Sequence, residues 1–195
     1  MEKMLKRRAG VLVPLFSVYS KNSMGVGDLE DLKLLIDWSR ETGYSIIQLL
    51  PMNEIGSTLC PYDSISSFAL EPMYVRLKPS RSGSGKTPGV QGESHVDYRV
   101  KEEKLRILWD LYTKEKDIAS NKEFSLFVEE NSYWIDDYSL FKALKSYHNR
   151  APWHEWDDRY KDRDGYAIEQ FKKSTEKSWI FINGSSGFCL SSSRM

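Results

Sequence analysis

Two apolar runs separated by one well-bounded helix pattern constrain this chain more than any other feature. Val11-Leu12-Val13-Pro14-Leu15-Phe16 follows Gly10, and Ser45-Ile46-Ile47-Gln48-Leu49-Leu50 stops at Pro51. Branched aliphatics in runs this short predict buried strands, the second closed by a residue with no N–H for a sheet ladder. Pro14 confines the pairing of the first strand on one side. Between the runs, Asp28 is placed to cap a helix, Glu30 and Asp31 fall in its first turn, and Gly43 lies just past its end. Leu29, Leu32, Leu35 and Ile36 share one face of that helix. Strand, helix and strand make a βαβ unit from Val11 to Leu50, with a parallel pair and a right-handed crossover.

Loops at the carboxyl ends of parallel strands are where α/β proteins bind ligands. The loop after the second run, within Gln48–Glu71, has the polar centre Cys60-Pro61-Tyr62-Asp63-Ser64. A Tyr beside an Asp and a Ser offers a flat apolar face next to hydrogen-bonding groups. That pairing suits a sugar ring, with Tyr62 stacking and Asp63 and Ser64 bonding hydroxyls. The alternative is that Asp63 and Ser64 only cap the turn. Asp63 is the one carboxylate in the loop centre. Glu54 and Glu71 bracket it, and no arginine or apolar pocket is evident beside either to set their pKa values apart.

The remaining chain is mainly helical. Met73-Tyr74-Val75-Arg76-Leu77 alternates and reads as a short strand or an extended edge, and Pro79–Glu93 turns to Pro, Gly and Ser. Lys101–Lys116 carries Leu105, Leu108 and Tyr112 on one face, with Lys and Glu elsewhere. Asn121 opens a second helix through Glu130 with Phe124, Phe127 and Val128 inward, and Ile135–Tyr147 is a third with Leu140, Phe141 and Leu144 at helical spacing. Pro152, Trp153 and Trp156 begin a short helical element, and Tyr166–Lys177 makes another. The expected organisation is therefore a βαβ part with the substrate loop over 1–78, a flexible loop over 79–95, a helical subdomain over 96–177, and an atypical, disordered tail over 178–195.

Several other motifs have a blander reading that wins. Gly83-Ser84-Gly85-Lys86-Thr87 resembles the end of a phosphate loop, but Ser80 stands where the pattern needs Gly and Pro88-Gly89 will not propagate a helix. His148 and His154, six apart, fall on different helix sides and read as surface residues, not metal ligands. Asp136-Asp137 and Asp157-Asp158 read as solvated helix faces, since adjacent helical residues point about 100° apart. Trp153 and Trp156, three apart, read as core on one face before a sugar clamp. With 28 basic and 28 acidic residues no global field argues for nucleic acid or an anionic membrane. Cys60 and Cys189 match no metal or disulfide spacing, and no cofactor or metal is expected. Neither a signal peptide nor a membrane span is read, which makes a soluble cytoplasmic protein the expectation.

In order along the chain, Arg8-Ala9-Gly10-Val11-Leu12-Val13, Gly25-Val26-Gly27-Asp28-Leu29, Gln48-Leu49-Leu50-Pro51 and Pro61-Tyr62-Asp63-Ser64-Ile65-Ser66-Ser67-Phe68-Ala69 resemble the opening of the amylomaltases, the 4-α-glucanotransferases or disproportionating enzymes. Val96-Asp97-Tyr98, then Asp137-Tyr138-Ser139-Leu140-Phe141-Lys142-Ala143-Leu144-Lys145, then Trp153 and Trp156, are similar to the helical insertion of the same family. The likeness covers about Arg7 to Lys173. It implies the opening βαβ unit of an incomplete (β/α)₈ TIM barrel plus a helical insertion, since a closed barrel takes about 250 residues and eight strands. It also implies retaining transfer of α-1,4-glucan segments between maltooligosaccharides, with Tyr62 stacking near the scissile sugar. The family's nucleophile and acid come from later barrel strands, so no catalytic residue is expected in this chain and its activity alone is in doubt. An inert remnant or a non-catalytic carbohydrate-binding fragment is the alternative, and the oligomeric state is left open. Two departures stand out: Cys60 where the family often has Ser, and a Ser-rich tail after Lys177 where a helix with a Gln-Trp pattern is expected. A shortened or frame-shifted product would account for the second.

Overall fold

A computed structural model describes residues 7–56, 58, 60–77, 99–114, 122–175 and 182. They fall into two compact units that meet in sequence between Ile107 and Leu108. The Gly83–Thr87 motif, the Pro79–Glu93 loop, Val96–Tyr98, Cys189 and, apart from residue 182, the 178–195 tail lie outside the described residues.

In the first unit, strand β1 (Gly10–Val13) and strand β2 (Ile46–Leu49) pair in parallel, with Gly10 opposite Ile46 and Val13 opposite Leu49. Helix α1 (Leu29–Glu41) connects them and packs on β2. Its start is a capping box: the Asp28 carboxylate accepts from the N–H groups of Glu30 and Asp31, and the Asp31 carboxylate accepts from the Asp28 N–H. Gly43 closes it at φ +82°, the left-handed conformation that ends helices.

β1 is shorter than its apolar run predicts. Pro14 cannot donate to the ladder, and Leu15–Ser17 forms a 3₁₀ turn instead of continuing the strand. The two strands are covered on one face only. Val11, Val13, Ile47 and Leu49 are half-buried, whereas Leu12 and Ile46 on the opposite face are 59% and 45% exposed. On α1, Leu29 is buried and Ile36 is half exposed, so the apolar stripe is covered at its N-terminal end.

The core of this unit lies under the loops that follow both strands. Leu15 and Val26 from the first loop, Leu29, Ile55, Met73 and Tyr74 from beyond the second, and Val100 pack together. Gly27 is obligatory in this crowding, since a Cβ there would lie 2.1 Å from the carbonyl oxygens of Leu15 and Val18.

The alternation at Met73–Leu77 does not make a strand. Glu71 caps a 3₁₀ turn over Pro72–Tyr74, with Pro72 at its first position, and Pro72 through Val75 are all buried. The freed carbonyls of Met73 and Val75 accept from the ammonium of Lys104, at 2.6 and 3.1 Å. Lys104 belongs to helix α2 (Arg99–Lys114) and is fully buried, against the reading that placed the lysines of this helix away from its packed face. Two carbonyls without ladder partners, together with the attraction of the Asp28 carboxylate, favour a cation there.

The second unit contains α3 (Lys122–Glu130), α4 (Ser132–Tyr147), α5 (Asp158–Lys161) and α6 (Gly165–Ser174). Leu140, Ala143 and Leu144 of α4 pack with Trp156, Tyr160 and Phe171. Two readings change here. Trp153–Glu155 is a 3₁₀ turn, which sends Trp156 into the core and leaves Trp153 61% exposed, so the two indoles do not share a buried face. His148 is not a surface residue: its ring is half-buried and stacked on Trp156 at 5.3 Å with an 8° interplanar angle. His154 is exposed.

Candidate functional site

The segment after β2 returns on itself as a narrow antiparallel ribbon. Asn53 bridges Leu70 and Ile55 bridges Ser64. The Glu54 N–H donates to Ala69 O (2.9 Å), Ile65 N–H to Glu54 O (2.8 Å), Gly56 N–H to Asp63 O (3.3 Å), and Glu71 N–H to Met52 O (2.9 Å). At the far end a turn closes through the Asp63 N–H and Cys60 O (3.0 Å). Pro61 and Tyr62 occupy the two central positions of that turn, where Pro at the first supplies the required φ. Tyr62 is therefore carried at the tip, and its side chain is 73% exposed.

Asp63 and Ser64 stand beside it and are exposed. The Asp63 carboxylate accepts from the Thr58 hydroxyl at 2.7 Å, so at least one of its oxygens braces the turn. Ser64 sits in the bridge with Ile55. The structure brings the three residues together on one turn, as the sequence spacing dictates, and gives Asp63 a bracing contact in addition. Ser66 ties the returning strand by accepting from the N–H groups of Phe68 and Ala69. The free thiol of Cys60 is exposed in the same turn.

Beneath the ribbon lie carboxylates of a different kind. Glu54 and Glu71 are fully buried. Glu71 accepts from the Ile55 N–H (2.9 Å) and from the ammonium of Lys101 (2.8 Å), while Lys101 also donates to Ile55 O (2.8 Å). Burial drives the Glu71 carboxyl above the usual glutamate range despite the Lys101 charge. No arginine or apolar pocket is evident beside Glu71 in the sequence, yet the group is fully buried with a lysine on it: Lys101 comes from 30 residues downstream, a distance at which no local pattern signals it.

A second buried network locks the loop after β1. The Asp31 carboxylate accepts from Ser20 Oγ (2.8 Å), Ser23 Oγ (2.6 Å), the Asp28 N–H (3.0 Å) and Arg76 Nη2 (2.8 Å). Arg76 also forms an ion pair with Asp28. Burial raises the Asp28 carboxyl, with Arg76 opposing and Asp31 reinforcing the shift. For Asp31 burial acts in the same upward sense, but the bonds from Ser23, Ser20 and Asp28 and the Arg76 charge outweigh it and hold the group low. Arg76, located just after the ribbon, so fastens the first loop to the second.

Chemically, the arrangement offers one exposed aromatic face with a carboxylate and a hydroxyl at its side, on a frame fixed by buried ion pairs. Retaining glycosyl transfer needs two carboxyl groups about 5–5.5 Å apart flanking the bond. Here Asp63 is exposed, whereas Glu54 and Glu71 are fully buried, Glu71 against Lys101. Among the described residues no cluster of three or more His, Cys, Asp and Glu suits a metal ion, and no helix is long and apolar enough to cross a membrane.

A family model described as 4-alpha-glucanotransferase matches residues 13–183. The 4-alpha-glucanotransferase of Chlamydia pneumoniae is 35% identical over 169 residues, covering 80% of this chain and 32% of that protein. The one from Chlamydia caviae is 33% identical over 186 residues, covering 89% and 35%. The 4-alpha-glucanotransferase DPE2 of Oryza sativa subsp. japonica is 34% identical over 165 residues, covering 77% and 17%. An amylomaltase from Streptococcus agalactiae, solved in complex with acarbose, superposes with a TM-score of 0.78 over 96% of this chain and 39% of its own, at 20% identity, and shows the likeness of fold. The chain spans about a third of the length of the chlamydial relatives. With a family model matched across most of its length, the chain belongs to the 4-alpha-glucanotransferase family.

Proposed function

We propose that this chain supplies part of the sugar-binding floor of a 4-α-glucanotransferase that moves α-1,4-glucan segments between maltooligosaccharides. The observation that carries the reading is Tyr62, held out at the tip of a braced turn on the carboxyl side of β2. Tyr62 stacks on a glucose ring, Ser64 and the remaining acceptor capacity of Asp63 bond hydroxyls, and Thr58 keeps Asp63 in place. β1, α1 and β2 form the opening βαβ unit of a (β/α)₈ barrel, and the helices from α2 onward form its insertion, with 1–78 and 96–177 as the two parts. The acarbose complex of the streptococcal amylomaltase supports a glucan as the ligand class. A cytoplasmic setting fits a glucan substrate and the absence of a spanning helix among the described residues.

On this reading the 195 residues bind glucan without carrying the acid and nucleophile of transfer. Titration of maltoheptaose against the wild type and Tyr62→Ala tests it. Binding weakened by about tenfold or more in the variant is expected, in line with loss of a stacking platform. Equal binding by both proteins would remove Tyr62 from the site.

A further inference from the structure

We propose that Glu71 and Lys101 are a positioning pair that holds the Tyr62 turn in its sugar-receiving pose by gripping both backbone polar groups of Ile55. The proposal rests on Tyr62 as the stacking platform described above.

Ile55 and Ser64 face each other between the Ile65-to-Glu54 and Gly56-to-Asp63 hydrogen bonds, which makes them a non-hydrogen-bonded pair. The N–H and C=O of such a residue point away from the partner strand, toward the open edge of the ribbon. A buried group left there without a partner costs roughly as much as a lost hydrogen bond. Ile55 is buried, and its outward N–H and C=O are met by a carboxylate and an ammonium that also bind each other. The ion pair thus does the work of a third strand at one residue.

That residue is well chosen for control of the turn. The bonds flanking Ile55 reach Asp63 O and Ile65 N, on the strand that carries Tyr62. Glu71 ends the returning strand and caps the following 3₁₀ turn through the Met73 N–H. Lys101 arrives from α2, beyond the residues that separate ribbon and helix in sequence. The Tyr62 turn is therefore anchored at its base by the first helix of the region read as the family's insertion. Freed of this anchor, the ribbon keeps its core packing through Ile55, Met73, Tyr74 and Val100 but loses the two polar ties to the Ile55 backbone.

Hydrogen exchange on the full chain separates positioning from general stability. Lys101→Met, Lys101→Arg and Glu71→Gln are compared with wild type at the Gly56, Asp63 and Ile65 amides, with the Leu32 and Tyr44 amides as reference. Lys101→Met is expected to speed exchange at the ribbon amides about tenfold beyond any change at the reference amides, and Lys101→Arg to restore most of the protection. Maltoheptaose affinity should fall by about tenfold in Lys101→Met, and Tyr62→Ala with Lys101→Met should bind no more weakly than Tyr62→Ala alone. Where Lys101→Met does not fold, Glu71→Gln provides the same comparison. Ribbon and reference amides accelerating together, or loosened ribbon amides with unchanged affinity, would overturn the proposal. A wild type that binds no maltoheptaose would instead sink the sugar reading, and the exchange result would still decide whether the pair holds the turn.

Discussion

The first unit of this chain buries charges beneath its loops in addition to its surface pairs, and the pairs of the second lie nearer the surface. In the first, Asp28, Asp31, Glu54 and Glu71 are buried, and Arg76, Lys101 and Lys104 reach in to meet carboxylates and carbonyls. In the second, Asp137 with Arg163, Asp157 with Arg159 and Glu169 with Lys173 are pairs whose side chains are all more than half exposed. Cohesion there comes from aromatic and aliphatic packing around Trp156, Tyr160 and Phe171. Buried ion pairs are seldom the most stabilising solution for a core, but breaking one is costly because its partner is stranded. Their concentration under the two loops at the strands' carboxyl ends teaches that this unit holds loop geometry by charge.

The largest effect expected from this contrast is at Arg76. Arg76→Met strands two buried carboxylates and should cost about 3–5 kcal/mol in urea unfolding. A loss below about 1 kcal/mol would mean that Asp28 and Asp31 are solvated and that the first loop is not locked as described. In the helical unit the comparable loss lies in packing: Trp156→Ala should cost about 3–5 kcal/mol, whereas Trp153→Ala at its 61% exposed position should change stability by about 0.5 kcal/mol or less.

A pH series sharpens the comparison further. Glu71 holds its proton to higher pH in the folded chain than when unfolded. Its contribution to stability is therefore fully present below the ordinary glutamate pKa and is lost as pH rises through the raised value; Asp28 acts in the same sense. Asp31 has the opposite sign, adding stability above the ordinary aspartate pKa that disappears as pH falls through its lowered value. Glu71→Gln should flatten the decline on the rising side, so that the difference between variant and wild type moves in favour of the variant as pH climbs through that window. Denaturant midpoints measured across the acid range check the slope. The smallest effect is expected at the surface pair: Arg163→Met should shift stability by about 0.5 kcal/mol or less.

Much of the frame around the candidate site was readable from residue order alone. The Asp28 cap, the helix to Gly43 and the parallel pair follow from spacing, and Pro61 before Tyr62 marks the turn. What sequence could not supply were the partners that come from far along the chain. Lys101 and Lys104 sit in a helix whose polar residues look solvated until the carbonyls of Ile55, Met73 and Val75 are placed beside them. Of the two readings of Met73–Leu77, short strand or extended edge, the strand does not form for the same reason, since an alternating pattern does not reveal that Glu71 will cap a 3₁₀ turn there. Trp156 joins the core as expected and Trp153 does not, because a three-residue spacing implies a shared face only in a continuous helix, and this segment is a single 3₁₀ turn.

Incubating the purified 195-residue chain with maltotriose, followed by chromatography for glucose and longer glucans, tests most directly whether the Tyr62 ribbon is a binding floor without its own reacting pair. No disproportionation is expected, because Asp63 is the exposed carboxylate of the turn, Glu54 and Glu71 are fully buried, and one carboxylate cannot serve as nucleophile and proton donor together. Formation of glucose and maltopentaose that follows the protein through purification and persists in Asp63→Asn would contradict it.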